Sequence, residues 1–367
     1  MLNRIIKISI IIVFLTCLYS LITKNDSISE IIKMDKDKFL NEINNIPEFN
    51  KKYRSKNIQI ENCSIYKKDI QGIELINCSI SKSKFNAVNL DFSNIVNSNI
   101  NKTTFDYTTI SKATIIKSLF TNCIFNNVTF DSSNFNQVSF VDCKFISCSI
   151  NEVIQRNTTI TKAQFDNCDI MNNKLINLTF SDALFNDSDF SKSEITDVRF
   201  ENSSINEVSF SETQMKNVFM LLKQCLKMSI AKSEIQNFEI KAPEVSDFFG
   251  LRARIKNMKI DFDSIDMLNF INAKLVDISV KSKQIESLVL GVSLIENSNF
   301  SGFNINNELI LRGAVLKNVI FKNLYFKRTI DIRDADLKGL SFIDCKVNSK
   351  RDILKDSKTE LPAASIF

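Results

Sequence analysis

The sequence predicts a repeat solenoid, and the main support is a period of five residues between residues 60 and 240. Of the 37 positions whose number is a multiple of five, 36 are apolar, against 44% of the whole chain. We call the residues at these positions the central residues. Fourteen of the 37 are Phe, and the one that is not apolar is Gln155. Because a period of five matches neither a helix nor a strand, it indicates a repeat architecture.

A second regularity lies two residues before each central residue. From Cys78 to Val218 this position holds Ala, Ser, Thr, Cys or Val in 27 of 29 cases, and the exceptions are Asn173 and Leu178. The other three residues of each unit are mostly polar. Two inward positions in every five residues predict one flat face for each unit.

Stretches such as residues 183–192, Ala-Leu-Phe-Asn-Asp-Ser-Asp-Phe-Ser-Lys, show both regularities together. In this pattern the chain resembles the pentapeptide-repeat family. The resemblance implies an all-β fold, a right-handed quadrilateral β-helix in which four units make one coil. It also implies that the large central residue and the small residue two before it point inward, and that coils stack as parallel strands.

A coil of four units places residues that are 20 apart on top of one another. The following six Phe residues have this spacing and are expected to form one continuous stack: Phe85, Phe105, Phe125, Phe145, Phe165 and Phe185. Gln155 interrupts the apolar pattern. A local bulge that turns Ile154 inward is the favoured interpretation, and the alternative is a buried Gln155 with hydrogen-bond partners.

The cysteines follow the same frame, since six of them hold the small inward position: Cys63, Cys78, Cys123, Cys143, Cys148 and Cys168. There we expect them to act as compact apolar residues. Cys123 and Cys143 are 20 residues apart, as are Cys148 and Cys168, so the two members of each pair are expected to be stacked one coil apart. In an oxidising compartment a strained disulfide within each pair is therefore an alternative. The sequence does not contain the Cys-x-x-Cys spacing that would favour a zinc site.

Residues 1–25 read as a signal peptide or a membrane anchor. Arg4 and Lys7 precede an apolar run over residues 8–22, which is between the lengths of a signal-peptide core and a spanning helix. The basic residues place the amino end in the cytoplasm and the repeats outside. Cys17 is a candidate lipidation site, because the residues before it resemble a bacterial lipoprotein processing site.

Residues 26–57 are predicted to form a helical cap on the first coil of the regular array, residues 58–214. Apolar residues from Ile28 to Ile43 fall roughly on one face, and Pro47 is expected to close the helix. A solenoid needs such a cap because its end coil is apolar. A helix that recruits a partner has the same pattern and stays an alternative.

The regular pattern weakens over residues 215–262, which are predicted to be irregular coils or a joint. The small residues disappear there, and Pro243 suggests a break. Apolar residues in this segment form a candidate interaction patch: Phe219, Met220, Leu221, Phe248 and Phe249.

Residues 263–348 are predicted to be a less regular β-helix of the same kind. Its frame slips near residues 311–315 and 328–334, where extra residues are expected at corners. Residues 349–367 are expected to form a short cap and a loose tail.

Composition argues against an enzyme and against a cofactor or metal site. The chain has no His, which removes the most frequent general base and metal ligand. It has no Gly-rich phosphate loop and no nucleophile elbow. Asp187, Asp189 and Asp197 are close in sequence, but the repeat places polar residues on a solvated face. A carbohydrate-active β-helix enzyme, which needs long loops around a cleft, is therefore the least favoured alternative.

The balance of basic and acidic residues limits the kinds of partner that the chain is expected to bind. Removing Arg4, Lys7 and Lys24 from the 47 basic residues leaves 44 against 42 acidic ones, so no nucleic-acid binding is expected. The favoured function is a non-catalytic, exported or membrane-anchored scaffold that binds an unknown protein partner at the cell envelope or surface. The family resemblance adds an alternative, a DNA mimic that inhibits or protects a DNA topoisomerase. That role needs an acidic surface and a cytoplasmic location.

Overall fold

The structure, a computed structural model, describes residues 31–357 and residue 359. It confirms the fold class, because nearly all of this region is a four-sided parallel β-solenoid of about 15 turns. The leader with Cys17, and residues 360–367 of the predicted tail, lie outside the described residues.

The short strands of the first coils lie between residues 57 and 209, with parallel partners one coil away. Their bounds are Asn57–Glu61, Ser64–Tyr66, Glu74–Ile76, Cys78–Ser81, Lys84–Asn86, Asn94–Val96, Asn99–Asn101, Thr104–Asp106, Thr114–Ile116, Leu119–Thr121, Ile124–Asn126, Asn134–Asn136, Ser139–Val141, Lys144–Ile146, Ile154–Arg156, Thr159–Thr161, Gln164–Asp166, Lys174–Ile176, Thr179–Ser181, Leu184–Asn186, Glu194–Thr196, Arg199–Asn206 and Val208–Ser209.

Longer strands follow in the middle of the chain and shorten again towards its end. The long strands are Gln214–Ser229, Glu234–Phe249 and Arg254–Asn269. The later strands are Lys274–Lys281, Gln284–Val289, Leu294–Ser301, Asn304–Ile310, Val315–Lys322, Tyr325–Phe326, Thr329–Asp331, Leu340–Ile343, Lys346–Val347 and Ile353–Leu354, with a 3-10 helix at Lys350–Asp352.

The amino-terminal cap differs from the single helix predicted. Residues Ile31–Met34 form a strand paired with residues 57–60, and two helices follow, α1 (Lys36–Glu42) and α2 (Ile46–Tyr53). Pro47 lies in the first turn of α2, so the prediction that it closes a helix is wrong. Proline is favoured in a first turn because that turn leaves its N–H groups without helical partners.

Helix α2 joins the cap to the first coil through one side chain. The Asn50 amide donates to the carbonyl of Gly72, and its oxygen accepts from the N–H of Glu74, at 2.9 and 2.8 Å. Phe49 and Tyr53 of the same helix are buried over the apolar end of the solenoid. The cap thus satisfies backbone groups and covers apolar surface at once.

The predicted Phe stack is confirmed. Phe85, Phe105 and Phe125 are in register, and the ring centroids of successive members from Phe85 to Phe185 lie 4.6 to 5.1 Å apart, with nearly parallel planes. Coil spacing sets this distance, since parallel strands lie ~4.7–4.9 Å apart. The sequence period of 20 therefore becomes an aromatic column inside the solenoid.

The small inward residues do more than fill space. Ser118 and Ser133 donate their hydroxyls to the carbonyls of the central residues 23 positions earlier, at 3.2 and 2.7 Å. Cys143 does the same with its thiol, which lies 3.4 Å from the carbonyl oxygen of Phe120. Ser, Thr and Cys suit this position because they are small and carry a donor for a buried carbonyl.

At most corners, the residue two after the central residue turns the chain with positive φ. Asn occurs often there, as in Asn217, Asn237 and Asn257, with φ of 55 to 59°. Asn tolerates this left-handed region better than most residues. The side chains also form a ladder along the solenoid, since the amide of each donates to the oxygen of the one below at 2.8 to 2.9 Å.

The predicted bulge at Gln155 is wrong. Gln155 points inward and is 6% exposed, while Ile154 is 36% exposed. Gln155 stays in register between Phe135 and Leu175, because a bulge would disrupt ladder hydrogen bonds on both sides. Its Oε1 atom is buried and has no hydrogen-bond partner among the described residues.

Replacing Gln155 with Leu is expected to stabilise the protein by about 1–3 kcal/mol, because Leu fits the apolar frame and removes a buried acceptor without a partner. Urea unfolding at constant pH measures the change. The control is Gln164→Leu on an outward face, where a change within about 0.5 kcal/mol is expected. A Gln155→Leu variant less stable than the unchanged protein would show that the amide has an important partner.

The coils over residues 215–262 are regular, so the predicted irregular joint is wrong. Strands Gln214–Ser229, Glu234–Phe249 and Arg254–Asn269 pair with partners 20 residues apart. Two corners per coil change instead. Leu222, Ala242 and Phe262 lack positive φ and point inward, while the next residues, Lys223, Pro243 and Asp263, are exposed. Burying the apolar side chain of residue 222, 242 or 262 is favourable, whereas burying the charged or proline residue that follows it would lower stability.

The later coils gain extra residues at one repeated corner. Ile285 pairs with Ile305 but Ser287 pairs with Glu308, which places the first extra residue within 306–308. Ile305 pairs with Phe326 and Leu309 with Ile330, which places the second within 327–329. The first predicted position, 311–315, is therefore wrong, and the second lies at the start of the predicted range.

Candidate functional site

A shallow groove of about 750 Å³ runs along one side of the solenoid. It crosses six successive coils, and the outward side chains of their strands line it. The groove is lined by Glu194, Thr196, Gln214, Lys216, Glu234, Gln236, Arg254, Lys256, Lys274, Val276 and Glu296.

The strand register builds the groove as two parallel rows. Gln214, Glu234, Arg254 and Lys274 stand one above the other, and a second such row begins at Lys216. The central residues between the rows point into the core. Successive members of a row are one coil apart, ~4.8 Å.

The acidic residues of the groove are paired, whereas three of its lysines are not. Glu234 lies 3.3 Å from Arg254, and Glu194 and Glu296 pair with Lys174 and Lys317 at 2.8 and 3.2 Å. Lys216, Lys256 and Lys274 have no ion-pair partner within the part of the chain that the structure describes. The groove thus presents uncompensated positive charge in fixed register.

The resolved pKa shifts of carboxyl groups are opposite in direction to the shift that a general acid needs. Among the described residues, each resolved shift of a carboxyl pKa is downward. A hydrogen bond from Arg54 lowers the pKa of Glu74, and one from Asn126 lowers that of Asp106. A catalytic acid needs a raised pKa.

The three aspartates singled out in the sequence are not gathered into one site. Asp187 and Asp197 occupy different corners and have positive φ. Asp189 accepts the backbone N–H of Ser191 at 2.8 Å. Within residues 31–357 and residue 359, no cluster of three His, Cys, Asp or Glu side chains is placed to hold a metal ion.

The predicted interaction patch does not form. Met220 and Phe248 are 1% and 0% exposed, because they occupy inward positions. Phe219 and Leu221 point outward on the side where Arg199 covers the Phe219 ring at 4.7 Å. Phe249 lies on another side, in register with Ser229 and Asn269. The apolar sequence of this segment fills the core rather than one surface.

The paired cysteines are free thiols in the structure. Cys123 and Cys143 point inward, and each thiol bonds to a backbone carbonyl. A hydrogen bond with Cys123 and burial together raise the pKa of Cys143, and the same causes act on Cys168 beside Cys148. Cys143 and Cys168 are therefore protonated donors rather than nucleophiles, whereas the hydrogen bonds with them lower the pKa of Cys123 and of Cys148.

Cys78 and Cys225 are expected to resist iodoacetamide at pH 8, because burial raises the pKa of each thiol to about 12. An unfolded thiol has a pKa of about 8.5. The stability that these protonated thiols contribute is therefore fully present below about pH 8.5, the pKa of the unfolded thiol, and decreases as pH rises towards about 12. Peptide mapping by mass spectrometry should find both cysteines labelled only after unfolding in urea. Equal labelling of folded and unfolded protein would contradict their burial.

The groove could not be recognised from the sequence period alone. Reading every twentieth residue would have aligned Glu234 with Arg254 and exposed their pairing. The unpaired lysines and the concave surface depend on side-chain positions that the period does not specify. In the sequence, apolar residues such as Met220 and Phe248 are more conspicuous than the lysines of the groove.

Residues 118–189 match the family model of the pentapeptide repeat region. This part of the chain is a pentapeptide-repeat array. No curated protein sequence matches the chain. In the described residues of the array and its caps, no helix has the length and apolar character to cross a membrane.

Three solved structures resemble the chain at low identity. QnrB1, a plasmid-mediated fluoroquinolone resistance protein, is 11% identical, with 51% of this chain and 91% of QnrB1 covered and a TM-score of 0.26. HetL, a pentapeptide repeat protein involved in heterocyst differentiation regulation from the cyanobacterium Nostoc sp. strain PCC 7120, is 13% identical, with coverages of 84% and 96% and a TM-score of 0.18. A mannuronic acid specific polysaccharide lyase from human gut microbiota is 10% identical, with coverages of 88% and 83% and a TM-score of 0.25. Such values support no argument about function.

Proposed function

We propose that this pentapeptide-repeat protein is a non-catalytic scaffold of the cell envelope or surface that binds an acidic protein partner in the groove. The observation that carries the proposal is the set of three unpaired lysines, Lys216, Lys256 and Lys274, in a groove whose acids are paired. Charges in fixed register favour a partner of complementary charge and suppress others. A shallow, rigid groove suits a scaffold better than a reaction site, which needs converging catalytic groups.

An extended acidic peptide is the simplest probe of the groove. We expect a fluorescent peptide of alternating Glu and Thr to bind, and the double variant Lys256→Glu with Lys274→Glu to weaken binding at least tenfold. High salt should weaken it too, because it screens exposed charges. Fluorescence anisotropy measures the affinity.

The matched control reverses two lysines outside the groove, Lys112→Glu with Lys192→Glu, and changes the net charge equally. The control is expected to keep most of the affinity. Equal losses in the two double variants would mean that net charge, rather than the groove, attracts the peptide. An unchanged protein that does not bind the peptide would also contradict the proposal.

The proposed location rests on the leader, residues 1–25, with Arg4 and Lys7 before its apolar run. Such a segment exports the chain or anchors it in a membrane, with the repeats outside the cytoplasm. Cell fractionation combined with protease treatment of intact cells tests this. Recovery of the full-length chain from the soluble cytoplasm would contradict an envelope scaffold.

One observation favours the alternative role as a DNA mimic. The side of the solenoid that carries Asp69, Asp91, Asp131, Asp169 and Asp189 has no lysine or arginine in the same outward rows up to Ala231. Over the nine coils from Asp69 to Ala231 its five carboxylates average one per ~9 Å along the axis, whereas duplex DNA carries one charge per ~1.7 Å. The side is therefore a weak imitation of DNA, and inhibition of gyrase supercoiling by the purified protein would be needed to revive this alternative.

A further inference from the structure

An apolar surface lies on the continuation of this aspartate-bearing side, in the later coils. We call it the apolar patch, and it consists of the exposed Leu251 and Val292 and the half-buried Phe249, Ile271 and Ile310, together with Val289, which is 7% exposed. Phe249, Val289 and Ile310 stand in one row that also includes Asn269. In the two preceding coils the same outward positions hold small residues, among them Ser209 and Ser229. The surface therefore changes from hydroxyl-bearing to apolar near residue 249.

Val292 makes the apolar patch more than a chance cluster. It is 62% exposed and turns a corner with φ of 58°. Of the described residues with positive φ, it is the only β-branched one, and such a conformation is a strained exception for this residue type. Strain and exposed apolar surface both lower stability, and a segment packed on Val292 would offset the second.

The described chain ends beside the apolar patch. Thr359 donates its hydroxyl to the carbonyl of Ile332 at 3.0 Å. The adjacent Asp331 is the in-register partner of Ile310. Thr359 therefore stands about one coil beyond the patch, on the same side of the solenoid.

The residues after Thr359 have the composition and reach to cover the apolar patch. Residues 360–367 read Glu-Leu-Pro-Ala-Ala-Ser-Ile-Phe and have no charged side chain after Glu360. Eight extended residues span up to ~26–29 Å. From Ile332 to Leu251 the distance is four coils, ~19 Å. The segment is therefore long enough to cross the whole patch.

Opposite charges also favour a path of residues 360–367 towards the apolar patch. Arg312 lies between Thr359 and most of the apolar patch, and its side chain is 58% exposed. Its ion-pair distance to Asp334 is 3.8 Å, which leaves it able to accept a second acidic partner. Glu360 is the residue that follows Thr359. A chain turning towards the patch brings these opposite charges near each other.

We propose that residues 361–367 lie across the apolar patch of their own chain and cover it, with Glu360 near Arg312. The occupant is an intramolecular segment because its attachment at Thr359 holds it within reach, which gives it a high effective concentration over any free partner. The inference is independent of the groove, which lies on another side of the solenoid.

Photo-crosslinking of the full chain tests the proposal. With Phe367 replaced by p-benzoylphenylalanine, irradiation at low protein concentration is expected to give crosslinks within one chain, mapped by mass spectrometry to residues 249–312. Crosslinks between two chains would show that a second copy covers the patch and would overturn the proposal. Crosslinks elsewhere on the chain, or none, would overturn it as well.

A matched pair of corner variants separates contact from folding. Val292→Asn keeps the corner conformation, which Asn tolerates well, but removes apolar surface, and it should reduce the crosslinks at least threefold. Tyr107→Asn makes a similar change at a 64% exposed corner with positive φ far from the patch and should leave the crosslinks unchanged. Equal yields in the two variants would contradict a segment packed on Val292.

Discussion

Replacing Phe145 with Ala is expected to lower the free energy of unfolding by about 3–5 kcal/mol, the usual range for a large buried aromatic residue. Phe145 is 2% exposed and stacks between Phe125 and Phe165, with ring centroids 4.8 and 4.6 Å away. Phe140 adds an edge contact at 5.4 Å. The loss is large because the strand ladders on both sides keep the coils apart, so the cavity cannot collapse.

Denaturant unfolding followed by circular dichroism measures this change. Lys144→Ala is the matched control, since Lys144 is in the same strand but points outward. Its effect should stay within about 0.5 kcal/mol. A loss below about 1 kcal/mol in Phe145→Ala would mean that the ring is not enclosed by its stacking partners.

Replacing Gly250 with Leu is expected to destabilise the protein by about 1–3 kcal/mol through overpacking, although Leu is the residue type that the five-residue period favours there. Gly250 is in the central position of its coil. A Cβ atom at this position would overlap the Phe270 ring, which stands one coil away on the same side. Phe270 therefore occupies the space that a side chain at residue 250 would need.

A double variant tests this explanation. Phe270→Ala alone should leave a cavity and cost about 3–5 kcal/mol. Gly250→Leu combined with Phe270→Ala should be more stable than the sum of the single effects predicts, because the new side chain fills the new space. Additive losses, again from denaturant unfolding, would show that residues 250 and 270 do not share one cavity.

The sequence was sufficient where a structural feature depends on spacing alone. The stack from Phe85 to Phe185 follows directly from a 20-residue interval, because in-register parallel strands place such residues on top of one another. Small inward residues such as Ser133 were equally clear. Their hydrogen bonds to central carbonyls were not, since only the geometry of adjacent coils brings donor and acceptor together.

The errors occurred where two physical effects competed for the same residue. Gln155 was expected to turn outward, but the hydrogen-bond ladders of its strand hold it inward with an acceptor unsatisfied. Near Leu222 the five-residue frame and side-chain polarity disagree, because the frame assigns Lys223 to the core. The structure follows polarity, since Leu222 is buried and Lys223 is exposed, and residue 222 does not have positive φ. A period could not predict which effect would dominate.

The candidate site was predicted less well than the fold. Apolar residues such as Phe248 suggested a binding surface, yet a residue that fits the inward frame serves the core first. The groove arises from pairs such as Glu234 with Arg254 and from the lysines left over between them. These are relations between coils, so they become visible only when the register and the side-chain positions are both known.

The most direct test of the account is the distance between outward positions a whole number of coils apart. Asn94 and Lys174 are linked by four register steps, and Asn94 and Glu234 by seven. With spin labels at each pair, pulsed electron paramagnetic resonance should give backbone separations of ~19 and ~34 Å, since each coil adds ~4.8 Å. Distances that do not grow in proportion to the number of coils would contradict the in-register solenoid, and with it the groove.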